Sequence, residues 1–192
     1  MRIHGRHKIQ RRTGLESRDY QDYLPELRED FQYMCGYCGK SERVTKKGFE
    51  IDHFVPQILA EELRDNYNNL VYSCFTCNRK KGKKWPTKNL LLQHNDKEGF
   101  CDPATEEFDS HLQRDESGKI ISCSDVGEYM LKKAFGFDKR PTDIVWKAMK
   151  IVDMKQELRA KWTTLTEEEK DEYIRVDEEL DSLLDYIFEK KE

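Results

Sequence analysis

The clearest pattern of apolar and polar positions lies near the end of the chain. Apolar residues there recur every three or four positions: Tyr173, Val176, Leu180, Leu183 and Ile187. This spacing places them on one face of a helix. Thr166 and Glu169 precede the stripe at the spacing of a capping box, which predicts where the helix begins. We expect the stripe to pack on the helix before it; the alternative is a face that binds a partner.

Short apolar runs in the first half of the chain predict strands. Residues 70–73 are such a run, after turn-forming asparagines, and residues 49–54, which mix apolar and polar positions, are also predicted as a strand that is stopped by Pro56. A short helix is expected to begin at 77–81. The further expected elements are one or two helical turns at 58–64, a hairpin made of 108–114 and 119–122, and helices at 26–33, 124–135 and 142–162.

The composition predicts a heavily solvated chain with a small core. Of the 192 residues, 38% are charged and 36% are hydrophobic, whereas about 25% charged residues is usual. No apolar run approaches the roughly 18 residues that a membrane-spanning helix needs. The polar, basic start of the chain lacks the apolar stretch of a secretion signal. We therefore expect a cytoplasmic protein that has no membrane partner and is about one domain in size.

The charges are divided unevenly along the chain. Residues 1–100 carry 19 Lys and Arg against 14 Asp and Glu, while the remaining residues carry 15 against 24. One basic cluster opens the chain: Arg2, Arg6, Lys8, Arg11 and Arg12. A second, acid-free run comprises Arg79, Lys80, Lys81, Lys83, Lys84 and Lys88. Such clusters can neutralise nucleic-acid phosphates, and a solvated basic face is the alternative.

Four of the six cysteines form two Cys-x-x-Cys pairs. Cys35 and Cys38 make the first pair, and Cys74 and Cys77 make the second. Without a secretion signal a disulfide framework is not expected, and four thiolates can close a tetrahedral structural zinc site. A folded segment must fill the interval between the pairs. Cys101 and Cys123 stand outside this pattern and are expected to be ordinary thiols.

The segment between and around the pairs carries further motifs in a fixed order. They are Cys35-x-x-Cys38, Ile51-Asp52-His53-Phe54-x-Pro56, Asn69-Leu70-Val71 and Cys74-x-x-Cys77-Asn78-x-x-Lys81-Gly82. In these residues the chain resembles the HNH endonuclease family, in the variant with asparagine at the third signature position. The resemblance covers about a quarter of the chain. It implies a ββα-metal core and phosphodiester hydrolysis.

The expected chemistry assigns roles to four polar residues. The resemblance implies that His53 is the general base, and a neutral imidazole suits the removal of a proton from water. Asp52 and Asn78 offer a carboxylate and an amide oxygen, which suit catalytic Mg²⁺ or Mn²⁺. Asn69 is expected to hydrogen-bond the backbone and hold the loop that carries His53. Contacts with DNA are expected from the basic run: Arg79, Lys80, Lys81, Lys83 and Lys84.

One geometric objection applies to this site. Adjacent residues of a regular strand point to opposite faces, so Asp52 and His53 can line one site only where the strand twists or ends. The structural alternatives are a turn or cap residue at Asp52, a backbone-bonded histidine at His53 and a helix N-cap at Asn78. The other histidines receive no chemical role: His4, His7, His94 and His111.

Together these patterns predict an α+β fold: a small ββα core stapled by a four-cysteine zinc site, followed by an α-rich region. The expected division is a basic arm and helix (1–30), the HNH core (31–88) and a mostly helical part with a hairpin (89–192). The expected function is a metal-dependent endonuclease acting on double-stranded DNA, in restriction or anti-phage defence. The C-terminal helices could bind an ATPase partner or form a homodimer. The alternatives are an inactive zinc-clamped nucleic-acid-binding module and an HNH-core ribonuclease or toxin.

Overall fold

The two strands expected beside the cysteine pairs form an antiparallel sheet in the computed structural model, which describes residues 1–189. Strand β1 (Phe49–His53) pairs with β2 (Leu70–Cys74), with Phe49 opposite Cys74 and His53 opposite Leu70. Every residue of β2 is buried. The remaining elements are β3 (Leu112–Arg114), β4 (Ile120–Ser122), α1 (Leu24–Asp30), α2 (Phe75–Lys81), α3 (Phe108–His111), α4 (Asp125–Glu128), α5 (Thr142–Ala160) and α6 (Glu167–Glu189).

Helix α2 follows β2 directly and completes the ββα order that the sequence predicts. It begins at Phe75, so Asn78 lies inside the helix and is not its N-cap. The helix ends at Gly82, whose φ of +49° lies in the left-handed region that glycine tolerates. The chain is thus a mixed α and β protein with small antiparallel sheets and a helical C-terminal part.

The expected hairpin is present but shorter than predicted. Strands β3 and β4 pair antiparallel, with Leu112 opposite Ser122. Residues 108–111, predicted as strand, instead form the single-turn helix α3. The turn lets Phe108 enter the core, where it is 1% exposed. A buried aromatic side chain gains more from this packing than the segment gains from lengthening an edge strand.

The C-terminal apolar stripe packs inside the molecule, as expected. Val176, Leu180 and Ile187 of α6 are buried in one cluster with Val145 and Ala148 of α5. The capping box is formed, because the Thr166 hydroxyl accepts the Glu169 N–H and the Glu169 carboxylate accepts the Thr166 N–H. The stripe is therefore a core contact between α5 and α6 and not a free face for a partner.

Other helix limits differ from the expected ones by a few residues. Helix α1 stops before Gln32 and Tyr33, whose φ angles of 55° and 58° are left-handed. Residues 58–64 contain the short 3₁₀ turn Glu61–Leu63. Helix α4 continues as a π-helical turn over Tyr129–Ala134. None of the helices in residues 1–189 is both long enough and apolar enough to cross a membrane.

The basic start of the chain forms ion pairs with acidic residues elsewhere in the protein. The Arg11 guanidinium holds the Asp102 carboxylate through two hydrogen bonds of 2.7 and 3.0 Å. Three further basic residues are paired: Arg2 with Asp109, Lys8 with Glu106, and Arg12 with Asp30 and Glu29. Their charges are already matched by acids of this chain.

The predicted division of the chain into residues 1–30, 31–88 and 89–192 stays a prediction. The last three residues of the third part, 190–192, lie outside the described residues.

Candidate metal centre and nuclease site

The four expected cysteines lie together in one buried cluster. The sulfur atoms of Cys35, Cys38, Cys74 and Cys77 all lie within 4.8 Å of one another, and all four residues are buried. The Cys38 and Cys74 sulfurs are 3.9 Å apart. A tetrahedral zinc site with Zn–S bonds of about 2.3 Å requires sulfur atoms about 3.8 Å apart. The donor set and its spacing therefore fit one structural zinc ion.

Backbone and side-chain contacts hold the first cysteine pair in this position. Cys35 and Lys40 close the loop through a 2.8 Å bond between the Cys35 N–H and the Lys40 carbonyl. Gly39 has a φ of +67°, and a Cβ atom there would collide with the carbonyl oxygen of Ile3. The Arg140 guanidinium donates to the Cys77 sulfur at 3.2 Å. Such a contact places positive charge beside the thiolates and orients one of the ligands.

The two remaining cysteines stand apart from this cluster. Cys101 is buried and its sulfur contacts the Thr105 hydroxyl at 3.6 Å, and burial raises the pKa of its thiol to about 12. Cys123 is exposed. Neither is grouped with the four metal-binding candidates, as the sequence predicts.

Asp52 lies inside the protein beside two unexpected partners. Its Oδ2 atom accepts a hydrogen bond from the Tyr37 hydroxyl at 2.5 Å and lies 3.1 Å from Lys81 Nζ. Burial raises the pKa of Asp52, while the Lys81 charge and the Tyr37 hydroxyl oppose that rise. Lys81 also donates to the His53 carbonyl at 2.7 Å. The Asp52–Lys81 pair thus ties α2 to the end of β1.

His53 is the last residue of β1 and its ring is held from two sides. Its Nε2 atom lies 2.8 Å from the Arg64 carbonyl oxygen, and its ring meets the Tyr20 ring edge-on with centroids 4.8 Å apart. Because a carbonyl only accepts, Nε2 must carry the proton, which leaves the Nδ1 lone pair available. Burial lowers the pKa of His53. The imidazole is therefore neutral near pH 7.

Asn69 holds the loop that follows His53. Its Oδ1 atom accepts the Val55 N–H at 2.8 Å, and its Nδ2 atom donates to the Val55 and Leu63 carbonyls at 3.1 and 3.3 Å. Its own carbonyl accepts the Phe54 N–H at 2.8 Å. These bonds join the chain after His53 to the 3₁₀ turn that precedes β2.

Asn78 contacts a carboxylate that the sequence reasoning did not single out. Its Nδ2 atom donates to Glu50 Oε2 at 2.6 Å, whereas no hydrogen bond in residues 1–189 joins it to Asp52 or His53. Arg79 lies 3.5 Å from the same carboxylate. Glu50 and Asn78 line an open groove with Tyr20. The period-two rule could have found Glu50, since it is two residues before Asp52 on β1.

The basic run divides into an inner and an outer part. Lys81 is completely buried in its pair with Asp52, so its predicted contact with phosphate is wrong. A helix places successive side chains on different faces, and position 81 faces the core. The other four residues that were expected to contact DNA are exposed: Arg79, Lys80, Lys83 and Lys84.

The comparisons with known proteins agree with this geometry. Residues 35–84 match the family model described as HNH endonuclease. This segment is an HNH domain. The matched residues span both cysteine pairs, β1, β2 and α2, and the match indicates a nuclease domain of the HNH type. No curated protein and no solved structure matched the chain.

Proposed function

We propose that this protein is a metal-dependent endonuclease that hydrolyses phosphodiester bonds of double-stranded DNA, with His53 as its general base. The observation that carries the proposal is the hydrogen bond between His53 Nε2 and the Arg64 carbonyl. This bond places a proton on Nε2, so that the neutral imidazole, which burial favours by lowering the pKa of His53, presents Nδ1 as its basic nitrogen. Asn69 supports this role by fixing the loop directly after His53.

Oxygen donors for a hard cation lie on β1 and α2. Asp52 and Asn78 are proposed to hold Mg²⁺ or Mn²⁺, which favour carboxylate and amide oxygens. When bound, such an ion supplies positive charge to the phosphate and to the leaving oxygen. Glu50 is an alternative to Asp52 as the acidic metal ligand. It accepts a hydrogen bond from Asn78, whereas Asp52 is already paired with Lys81.

The exposed basic residues beside the groove support binding of nucleic acid. Arg79 lines the groove, and Lys80, Lys83 and Lys84 follow it on the protein surface. Such residues can neutralise successive phosphates without reading sequence. Double-stranded DNA as substrate, a cytoplasmic role in restriction or anti-phage defence, and an ATPase or homodimer partner rest on the resemblance to the family. Ribonuclease or toxin activity is the alternative, and an RNA substrate distinguishes it from cleavage of DNA.

A second candidate function is favoured by one contact. Asp52, the acid that precedes His53 on β1, is already neutralised in its buried pair with Lys81. A chain in which that pair is permanent would be a zinc-clamped nucleic-acid-binding module without catalysis. The two functions differ in whether added Mg²⁺ produces cleavage.

Nicking of supercoiled plasmid, with and without Mg²⁺, tests the proposal. Wild-type protein should nick only with the metal, and His53→Ala should lower the rate by about 10²- to 10⁴-fold, the usual effect of losing a general base. His7→Ala is the matched control and should cleave like wild type. Binding without cleavage would support the inactive module, and cleavage of RNA alone would support the ribonuclease. Undiminished cleavage by His53→Ala would contradict the assigned base.

A metal titration of cleavage separates the ligands from the base. Asn78→Ala should need more Mg²⁺ and regain part of its rate at high Mg²⁺ or with Mn²⁺, whereas His53→Ala should not. Asp52→Asn and Glu50→Gln are compared in the same titration. A larger shift in the metal requirement for Glu50→Gln than for Asp52→Asn would assign the acidic ligand to Glu50.

A further inference from the structure

Two histidines and a glutamate from different segments meet outside the HNH domain. His94 Nε2 lies 3.0 Å from Glu107 Oε1, and His111 Nε2 lies 3.4 Å from the same oxygen. The potential ligand atoms all lie within 4.8 Å of one another. The sequence reasoning gave neither histidine a role, because 16 positions separate them and no short motif joins them.

We propose that His94, Glu107 and His111 form a second metal site, which binds one Zn²⁺ ion independently of the cysteine cluster. Zinc bonds of about 2.0–2.2 Å to imidazole nitrogen and carboxylate oxygen place tetrahedral neighbours about 3.3–3.5 Å apart. The observed distances of 3.0 and 3.4 Å are close to that spacing. An ion could therefore enter after small side-chain movements.

Two of the three ligands are positioned by α3 and its surroundings. Glu107 and His111 are four residues apart across this helical turn, so their side chains share one face. The other ring nitrogen of His111 hydrogen-bonds with the Ser124 hydroxyl at 2.6 Å, and that hydroxyl also accepts the Gly127 N–H at 3.0 Å. A metal-binding histidine commonly has such a partner on its second nitrogen, which fixes the ring orientation.

The third ligand is held by a tight loop. His94 pairs with Gly99 across a short bridge, and Phe100 N–H donates to the Gln93 carbonyl at 2.8 Å. Gly99 has a φ of +144°, and a Cβ atom there would collide with His94. The Nδ1 atom of His94 lies 3.5 Å from an Asp96 carboxylate oxygen. The same Nδ1 atom accepts the Asp96 N–H at 3.4 Å. When Nε2 binds the metal, the imidazole proton resides on Nδ1, and the contact with the Asp96 N–H is exchanged for a hydrogen bond to the Asp96 carboxylate.

Exposure of the cluster leaves room for an ion and a water molecule. The side chain of Glu107 is 54% exposed, while those of His94 and His111 are 21% and 12% exposed. Three protein ligands and an open fourth position resemble zinc sites that keep a water molecule, in contrast to the closed cysteine site. We expect weaker binding here than at the cysteine site, and a bound ion would fasten the loop of His94 to α3. The alternative is a cluster that binds no metal, in which the two histidines only donate hydrogen bonds to the Glu107 carboxylate.

Calorimetric titration with Zn²⁺ tests the site in full-length protein whose cysteine site is already filled. Wild-type protein should bind one additional zinc ion per chain. Glu107→Gln, which keeps the side-chain size, should weaken that binding at least tenfold, and His94→Ala should do the same from the other side of the cluster. Glu106→Gln is the matched control, because Glu106 is the adjacent exposed acid, and it should bind like wild type.

The outcomes separate a metal site from a hydrogen-bonded cluster. Absence of a second zinc ion in wild type would overturn the proposal, as would equal affinities of the Glu107→Gln and Glu106→Gln proteins. Circular dichroism of each variant identifies a loss of binding that is due to unfolding. The readout does not depend on nuclease activity, so its failure would leave the proposed function at His53 untouched.

Discussion

The ion pair between Arg11 and Asp102 should contribute strongly to the free energy of unfolding. The two side chains are only 9% and 12% exposed and meet through two hydrogen bonds, at 2.7 and 3.0 Å. Arg11 also donates to the carbonyl of Leu70, the first residue of β2, at 3.0 Å. Replacing Arg11 by alanine therefore removes the cation from a buried carboxylate, which keeps only the Ala104 N–H as a donor at 3.0 Å, and removes the Arg11 donor from the Leu70 carbonyl.

The expected magnitude follows from this burial. Removing one partner of a buried ion pair costs about 3–5 kcal/mol, because the remaining charge stays buried and unpaired. The comparison pair, Lys8 and Glu106, is 62% and 81% exposed with a 3.5 Å separation, and such pairs contribute about 0–1 kcal/mol. For a chain of this size, about 1 kcal/mol corresponds to about 2–4 °C in Tm. Arg11→Ala should thus lower Tm by roughly 6–20 °C, and Lys8→Ala by only a few degrees.

A double-mutant cycle in urea measures the coupling directly. Wild type, Arg11→Ala, Asp102→Ala and the double variant are unfolded with zinc present, and the same cycle is run for Lys8 and Glu106. The double variant at the buried pair should be little worse than either single variant, since no unpaired charge remains. A loss below about 1 kcal/mol for Arg11→Ala, or equal couplings in the two cycles, would refute the reasoning from burial.

Three further outcomes follow from the structure. Purified protein should contain one tightly held zinc per chain, and Cys35→Ser should lose it and unfold as chelated protein does; a zinc-free protein that unfolds cooperatively would contradict this. Replacing Lys80 and Lys83 by alanine should weaken DNA binding at all sequences and reduce the salt slope by about one unit for each lost phosphate contact; an unchanged slope would contradict those contacts. Leu180→Ala, in the α5–α6 core, should cost about 2–5 kcal/mol in urea unfolding, whereas the half-exposed Ile174→Ala should cost much less; equal losses would contradict the packing.

Local patterns predicted the parts of the fold that depend on near neighbours. The strands beside Pro56 and Asn69, the capping box at Thr166 and the stripe through Leu180 all follow from spacing within one element. The cysteine cluster also followed, because four thiolates at this spacing have few other uses in a chain without a secretion signal. The strand, capping and helix-stripe inferences need only residues that are close in sequence, whereas the cysteine inference joins two short motifs 36 residues apart through the chemistry that they share.

Contacts across long sequence separations were outside the reach of those patterns. A lysine in a basic run is expected in solvent. Lys81 of α2 is nevertheless buried, because it pairs with the Asp52 carboxylate of β1. Arg11 pairs with Asp102 over a separation of 91 residues. His94, in the loop closed by Gly99, and His111, in α3, are brought together across 17 positions of sequence. Such pairings depend on tertiary structure, and one sequence carries no direct signal of them.

The segment that matches the HNH family depends electrostatically on residues that follow it. Four thiolates outweigh the two positive charges of a zinc ion, and Arg140, from the chain between α4 and α5, donates to the Cys77 sulfur. Arg114 of β3 is buried and donates to the Cys38 carbonyl at 2.6 Å and the Ile3 carbonyl at 2.9 Å. Burial lowers the pKa of Arg114 to about 10, and the nearby Cys38 opposes that shift. Two arginines outside residues 35–84 thus contact the segment that carries the cysteines, one at a sulfur and one at a carbonyl oxygen, and we expect the C-terminal region to stabilise that segment.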